Sequence, residues 1–244
     1  SRSALFTVMV TGMATIAGTV LGLYALFLEG VLPDAAGHLL TASIISAPAA
    51  IVVARMMIPE APDVAVEKVD LPSPYSGSMD AITQGTAAGL KLLLNIVAMM
   101  IVLIGLVHLV DIGLGLLPDV SGEPLVLTRI FGWVMAPVAW LMGVPAADAM
   151  TSGELMGTKT VLNELLAYSQ LGQLGPGAMS ARATTIMTYA MCGFANPGSV
   201  GIMIAGLSTM APDRRSEIAA LGFRSLLAGT MATCMTGIVV GFLI

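Results

Sequence analysis

What this sequence has least of is charge. Of its 244 residues, 10 are Lys or Arg and 15 are Asp or Glu, against 57% hydrophobic residues and a mean hydropathy of +0.92. So little polar surface cannot coat a water-soluble globule of this size, which excludes a soluble α/β domain and leaves the bilayer as the fitting solvent. Aromatic residues are scarce too, at 5%, whereas 27 Gly and 18 Met bias the chain toward small and flexible side chains. Helices packed closely in lipid use such residues. No basic run is longer than Arg214-Arg215, and the net charge of −5 is spread along loops, so nucleic-acid binding has no support. The two cysteines, Cys192 and Cys234, sit in apolar stretches without CxxC or His-rich spacing, which argues for packing residues rather than zinc ligands. No signal peptide is recognisable either. Ser1-Arg2-Ser3 runs straight into an apolar stretch with neither an initiator Met nor a small-residue cleavage site, and the expectation is a chain truncated at its start.

What is present is a series of apolar windows of membrane-spanning length. Spans are predicted at about 5–28, 37–58 and 92–117, with a solvated polar loop at 59–80 that carries five acids and four prolines. An amphipathic stretch at 79–91 is read as lying along the interface. Residues 125–144 are apolar but lead at once into Asp148, Thr151, Ser152, Glu154, Thr158, Lys159, Thr160, Asn163 and Glu164, which a lipid-facing helix could not tolerate. Two half-length helices forming a re-entrant hairpin over 125–168, shielded by protein, account for this. A broken helix at 180–210 and a last span at 217–244 complete an all-α, polytopic membrane protein with a re-entrant helical hairpin and discontinuous transmembrane helices. Counting basic residues near span ends places Arg2, Arg55, Lys68, Lys91, Arg214, Arg215 and Arg224 toward the cytoplasm, with Arg129 and Arg182 outside.

Three places carry the chemistry. Glu164 follows Lys159 and Asn163 at a depth where a carboxylate costs several kcal/mol unless compensated; it faces a pathway or, alternatively, pairs with Lys159 or Asn163 to hold the hairpin. Lys159 itself reads as a helix-end or ion-pairing group. Asn196-Pro197-Gly198-Ser199 interrupts an apolar run and frees backbone groups that water cannot reach; a polar substrate or coupling ion can supply partners, and a proline kink satisfied by neighbours is the plainer reading. Asn196 and Ser199, three positions apart, fall near one face and favour the site. In the first span Gly18 and Gly22 form a Gly-xxx-Gly pair beside Thr15 and Thr19, which by itself indicates close helix packing with threonines bonded to their own backbone. His108 and Asp111 read as interfacial polar groups.

Four segments in order resemble the C-terminal portion of concentrative nucleoside transporters. These are residues 3–24 with Gly12-Met13-Ala14-Thr15-Ile16-Ala17-Gly18, residues 39–60 with Ala42-Ser43-Ile44-Ile45-Ser46-Ala47-Pro48-Ala49, residues 157–168, and Cys192-Gly193-Phe194-Ala195-Asn196. The resemblance implies an ion-coupled nucleoside symporter, trimeric when complete, in which a domain of two re-entrant hairpins and two unwound helices moves like an elevator. It puts ribose-binding roles on Glu164, Asn196 and Ser199, sets Phe194 close to the substrate, and assigns Thr19 and Val20 to part of a sodium site. Sodium is the implied coupling ion, with a proton as the alternative, and no cofactor is implied. The family's first hairpin, with its Gly-Gln-Thr-Glu-like motif, would precede this chain. A fragment of a longer protein is therefore expected, with a half-protein needing a partner as the other reading.

Two rival classes fare worse. An intramembrane hydrolase would need a Gly-x-Ser-x-Gly nucleophile with a deep His, or two intramembrane Asp residues, and neither pattern occurs in the apolar segments. A channel would need a continuous polar lining, whereas the polar groups here gather at helix breaks.

Overall fold

A computed structural model describes residues 1–60, 75–175 and 177–244. Most of the predicted polar loop, with Lys68, lies outside the described residues. Among the described residues the chain is helical, and the strand-like pairing is an isolated bridge between Val120 and Glu123.

The first apolar stretch forms two helices, α1 (Arg2–Ala14) and α2 (Gly18–Phe27). Along α1 the hydroxyls of Thr7, Thr11 and Thr15 each donate to the carbonyl four residues back, a habit that competes with the helix ladder. β-branched Thr15 then turns extended, and the chain stays out of helical geometry through Ala17. The N–H of Ile16, freed by the break, donates to Ser43 Oγ at 3.2 Å. Ser43 belongs to α3 (Ala35–Met57), which continues through Pro48.

The helix α4 (Ser78–Leu114) differs from the expectation of an interfacial segment followed by a span. It is one continuous rod of 37 residues, about 55 Å at 1.5 Å per residue. No proline falls between Pro74 and Pro118, so nothing in the sequence stops it.

The predicted two-helix hairpin is in fact three short helices, α5 (Leu127–Leu141), α6 (Ala149–Val161) and α7 (Glu164–Gln173). α5 and α6 pack against each other along their length. Glycine makes that contact: a methyl group on Gly153 would stand 2.4 Å from the Gly132 carbonyl oxygen, and one on Gly157 2.4 Å from that of Thr128. The chain breaks at Leu162 and Asn163, and α7 folds back so that Gln170 and Gln173 face Thr151 and Glu154 of α6 across a shared cleft. By contrast Gly18 and Gly22, which the sequence suggested as a packing pair, have nothing within 4 Å of a built Cβ among the described residues.

A second broken helix follows, α8 (Ala181–Ala190) and α9 (Pro197–Met210), and then α10 (Arg215–Leu243). The pattern of a broken helix followed by a long one thus occurs twice, in α1-α2-α3 and in α8-α9-α10. α10 is the central post, packed against α1, α3, α8 and α9. Its buried small residues, Gly222, Ser225, Gly229, Thr233, Gly237 and Gly241, let those backbones come close.

Among the described residues, four helical stretches are long and apolar enough to cross a membrane: Arg2–Phe27, Ala35–Met57, Ser78–Leu114 and Pro212–Leu243. The protein is an integral membrane protein, and these stretches are its principal apolar bodies. One end of the molecule gathers Ser1, Arg55, Glu60, Arg214 and Glu217 through hydrogen bonds and ion pairs. Arg182 lies at the other end of α10, donating to the carbonyls of Gly143, Gly241 and Ile244. Arg129 does not join it, as the basic-residue count had assumed. It sits at the start of α5, about 20 Å of helix away from Gly143.

Candidate functional site

Both breaks in the helices are stabilised from outside, and they meet. Gly193 in the second break lies so close to the first that an added methyl would be 3.0 Å from the Met13 carbonyl oxygen and 2.5 Å from Thr233 Cγ2 of α10. The interruption between α8 and α9 spans Met191 to Ala195, upstream of the proline. Pro197 does not break the helix but starts α9, at a position where its missing N–H costs nothing. Asn196 is the N-cap, its Oδ1 accepting from the Ser199 N–H at 2.9 Å.

That cap fixes the amide. With Oδ1 committed to Ser199, Nδ2 of Asn196 points at the tip between α6 and α7 and donates to Glu164 Oε2 at 3.1 Å. Glu164 opens α7 behind its own cap, Asn163, whose Oδ1 accepts from the Leu166 N–H. Glu164 is 3% exposed. Its second oxygen, Oε1, accepts from the Tyr24 hydroxyl at 2.9 Å.

Glu164 is not in an ion pair with Lys159. The ion pairs among the described residues are Arg55–Glu60, Arg129–Glu123 and Arg214–Glu217. Lys159 is fully buried and donates to the carbonyl of Ala190, the last residue of α8, at 3.1 Å and to Thr233 Oγ1 at 3.0 Å. Each buried charge thus sits at the helix end of opposite polarity: the carboxylate at the start of α7, the ammonium at the close of α8. Of the two roles expected for Lys159, the helix-end role is the one found. Neighbouring side chains hold the same last turn of α8. Tyr168 donates to the Thr188 carbonyl at 2.7 Å, and the Tyr189 hydroxyl meets His38 Nδ1 at 3.1 Å.

Around this constellation lies a cavity of about 320 Å³. Every residue that the sequence reading placed in the site lines it: Thr19 and Val20 from the first turn of α2, Glu164 from the tip, Phe194 from the second break, and Asn196 and Ser199 from the cap and first turn of α9. Facing them across the space is an apolar wall of α4, with Met100, Leu103 and Ile104. The unwound part of the first helix is Thr15 to Ala17, so Thr19 and Val20 stand just past the break rather than in it. Among the described residues, cavities of about 390 and 380 Å³ also occur. One opens beside Arg129 and Glu154 and the other is almost wholly apolar, and neither gathers the two breaks.

Sequence reasoning missed Tyr24. It is 1% exposed, stacks on Tyr168 with ring centroids 4.7 Å apart, and lines the cavity. The available signal was local: in a helix Tyr24 shares a face with Val20, four residues before it. Asp111 was read as an interfacial group. It accepts from the Leu127 N–H at 2.7 Å and so caps the start of α5.

Comparisons with known proteins identify the family and agree with this fold. Residues 38–241 match the family model described as Na+ dependent nucleoside transporter C-terminus. The chain is 37% identical to the uncharacterized transporter YutK of Bacillus subtilis, over all of this chain and 60% of that one. It is 38% identical to solute carrier family 28 member 3 of Mus musculus, over all of this chain and 37% of that one. Among solved structures it superposes on CNTnw in an inward-facing substrate-bound state with a TM-score of 0.77 at 32% identity, covering 99% of this chain and 57% of CNTnw. In a further, intermediate state of CNTnw the TM-score is 0.83. The chain therefore spans about 60% or less of the relatives it matches. A family match across most of the sequence, and the same helix arrangement at 32% identity, give one conclusion: the chain belongs to the concentrative, Na+ dependent nucleoside transporter family and represents its C-terminal portion.

Proposed function

We propose that the protein is an ion-coupled nucleoside symporter and that this chain supplies the ribose-binding half of its site. The observation that carries the reading is the buried Glu164 carboxylate, held by Tyr24 and Asn196 at the edge of a 320 Å³ cavity. A carboxylate accepts up to four hydrogen bonds, so acceptor capacity remains for a sugar hydroxyl. Asn196 keeps a second amide proton, and Ser199 adds a hydroxyl beside it. Phe194 offers an apolar face to the ring above the sugar. Hydrogen bonds to a charged acceptor in such a site contribute about 1.5–3 kcal/mol each, enough to make the hydroxyls a condition of binding.

Sodium is the coupling ion in this reading, with a proton as the alternative. Among the described residues no group of three His, Cys, Asp or Glu could hold a metal, so hydroxyl and carbonyl oxygens would have to serve. The Thr19 hydroxyl is one. The carbonyls at the C-terminal end of α1 are others, since a helix leaves its last four without partners. Val20 stands in the first turn of α2, where its carbonyl belongs to the helix ladder, so its backbone contributes less than the sequence suggested. Homotrimeric assembly accords with α4, whose apolar length is exposed along most of its course among the described residues.

The test is concentrative uridine uptake by cells expressing the intact protein. Glu164→Gln and Asn196→Ala are expected to abolish it while insertion and assembly persist, and undiminished uptake by Glu164→Gln would remove the carboxylate from the site. Replacing sodium with choline over a pH series then separates the two coupling ions.

A further inference from the structure

Glu164 is flanked by two donors, and they differ in kind. Asn196 is held by its own cap, within the segment already assigned to the site. Tyr24 comes from α2, 140 residues away in sequence. Its ring lies 25° from parallel to Tyr168 at 4.7 Å, and Tyr168 is in turn anchored through its hydroxyl to the Thr188 carbonyl. Tyr24 therefore approaches Glu164 along a line set by two stacked, buried rings.

We propose that Tyr24 is a specificity-determining residue for the sugar: its hydroxyl occupies one side of Oε1, orients the Glu164 carboxylate toward the cavity, and so makes transport depend on a sugar hydroxyl that can donate to it. This rests on the sugar-binding reading of Glu164. A phenol can donate to a carboxylate but places no demand on the substrate itself. Its effect is to reduce the carboxylate's open acceptor positions to those that face the cavity. Without it, the carboxylate can rotate away, and a sugar hydroxyl that meets it less well is missed less when absent.

Tyr24→Phe deletes the hydroxyl and leaves the stacked ring. The measurement is kcat/KM for uridine, 2′-deoxyuridine and 3′-deoxyuridine, normalised to inserted protein, with binding of the same three to detergent-purified protein as a readout independent of trafficking. In the parent, one of the deoxy analogues is expected to be discriminated against most strongly. In Tyr24→Phe that discrimination should fall about 10-fold, the worth of one charge-assisted hydrogen bond, because uridine loses more than the analogue does. Tyr168→Phe, which keeps the stacked ring and loses the grip on Thr188, should lower the discrimination by less than Tyr24→Phe does. An equal loss for all three nucleosides in Tyr24→Phe, or an unchanged ratio, overturns the proposal while Glu164→Gln still abolishes uptake. If Glu164→Gln transports normally, the sugar-binding reading itself has failed.

Discussion

At Asn196 one side chain starts a helix and completes a site, and substitution can separate the two jobs. The amide oxygen accepts the Ser199 N–H while the nitrogen donates to Glu164. Alanine removes both, and loss of an N-cap alone costs about 1 kcal/mol. Serine keeps a capping oxygen but cannot reach Glu164 with an amide. Asn196→Ser is therefore expected to melt within a few degrees of the parent in detergent, yet to lose uridine uptake at least 10-fold, since a buried charge deprived of a donor costs about 1–3 kcal/mol or more. A serine variant that transports as well as the parent would mean that Asn196 matters as a cap and not as a partner of Glu164. The same logic explains why proline follows it. Pro197 reads in the sequence as a helix breaker, yet it occupies the first turn of α9, where its fixed φ suits the helix and no donor is lost.

Between elements, the decisive residues are the ones without side chains. α5 and α6 lie against each other because Gly153 and Gly157, one turn apart, face Gly132 and the Thr128 carbonyl. An added methyl at Gly157 would come within 2.8 Å of the Gly132 nitrogen as well, so backbone, not a yielding side chain, would have to move. Overpacking of this kind costs about 1–3 kcal/mol. It would also push α6 away from α5 and shift Glu164, seven residues on. Gly157→Ala should therefore lower the melting temperature of the purified protein and raise KM for uridine. Gly206→Ala, where a Cβ meets nothing within 4 Å, should leave both nearly unchanged. Equal behaviour of the two variants would show that α5–α6 contact does not position the tip. The sequence pointed to a different pair, Gly18 and Gly22, because a Gly-xxx-Gly spacing in an apolar run looks the same whether or not a neighbour faces it. The facing helix is a tertiary fact, and in this chain it faces the polar segment after Asp148.

For the molecule as a whole, the apolar windows made the number and order of the long helices legible, because a stretch of 20 or more apolar residues has few other solutions. Where the chain bends back was less legible. The α6–α7 tip at Leu162 and Asn163 carries no proline or glycine, and Asn163 signals it only as an N-cap. Nor could periodicity bring Tyr24 to Glu164 or Lys159 to Ala190, since those contacts depend on how α2, α6 and α8 stack. The charge count could not foresee that the course of α5 separates Arg129 from Arg182. It can be tested at the two ends of α10. Arg214 and Arg215 stand at its start beside Ser1 and Arg55, while Arg182 grips the carbonyls of Gly241 and Ile244 at its close. With 29 residues, α10 reaches about 43 Å, more than the hydrocarbon core of about 30 Å. By the positive-inside rule the basic cluster at the start is expected in the cytoplasm. Single cysteines at Ser216 and Ala178, both exposed, report on these ends against buried Cys192 and half-buried Cys234. A membrane-impermeant maleimide applied to whole cells should label Ala178→Cys and spare Ser216→Cys, and inside-out vesicles should reverse the pattern. Labelling of both from one face would mean that α10 does not cross the bilayer, and the cavity at Glu164 could not then lie between two aqueous compartments.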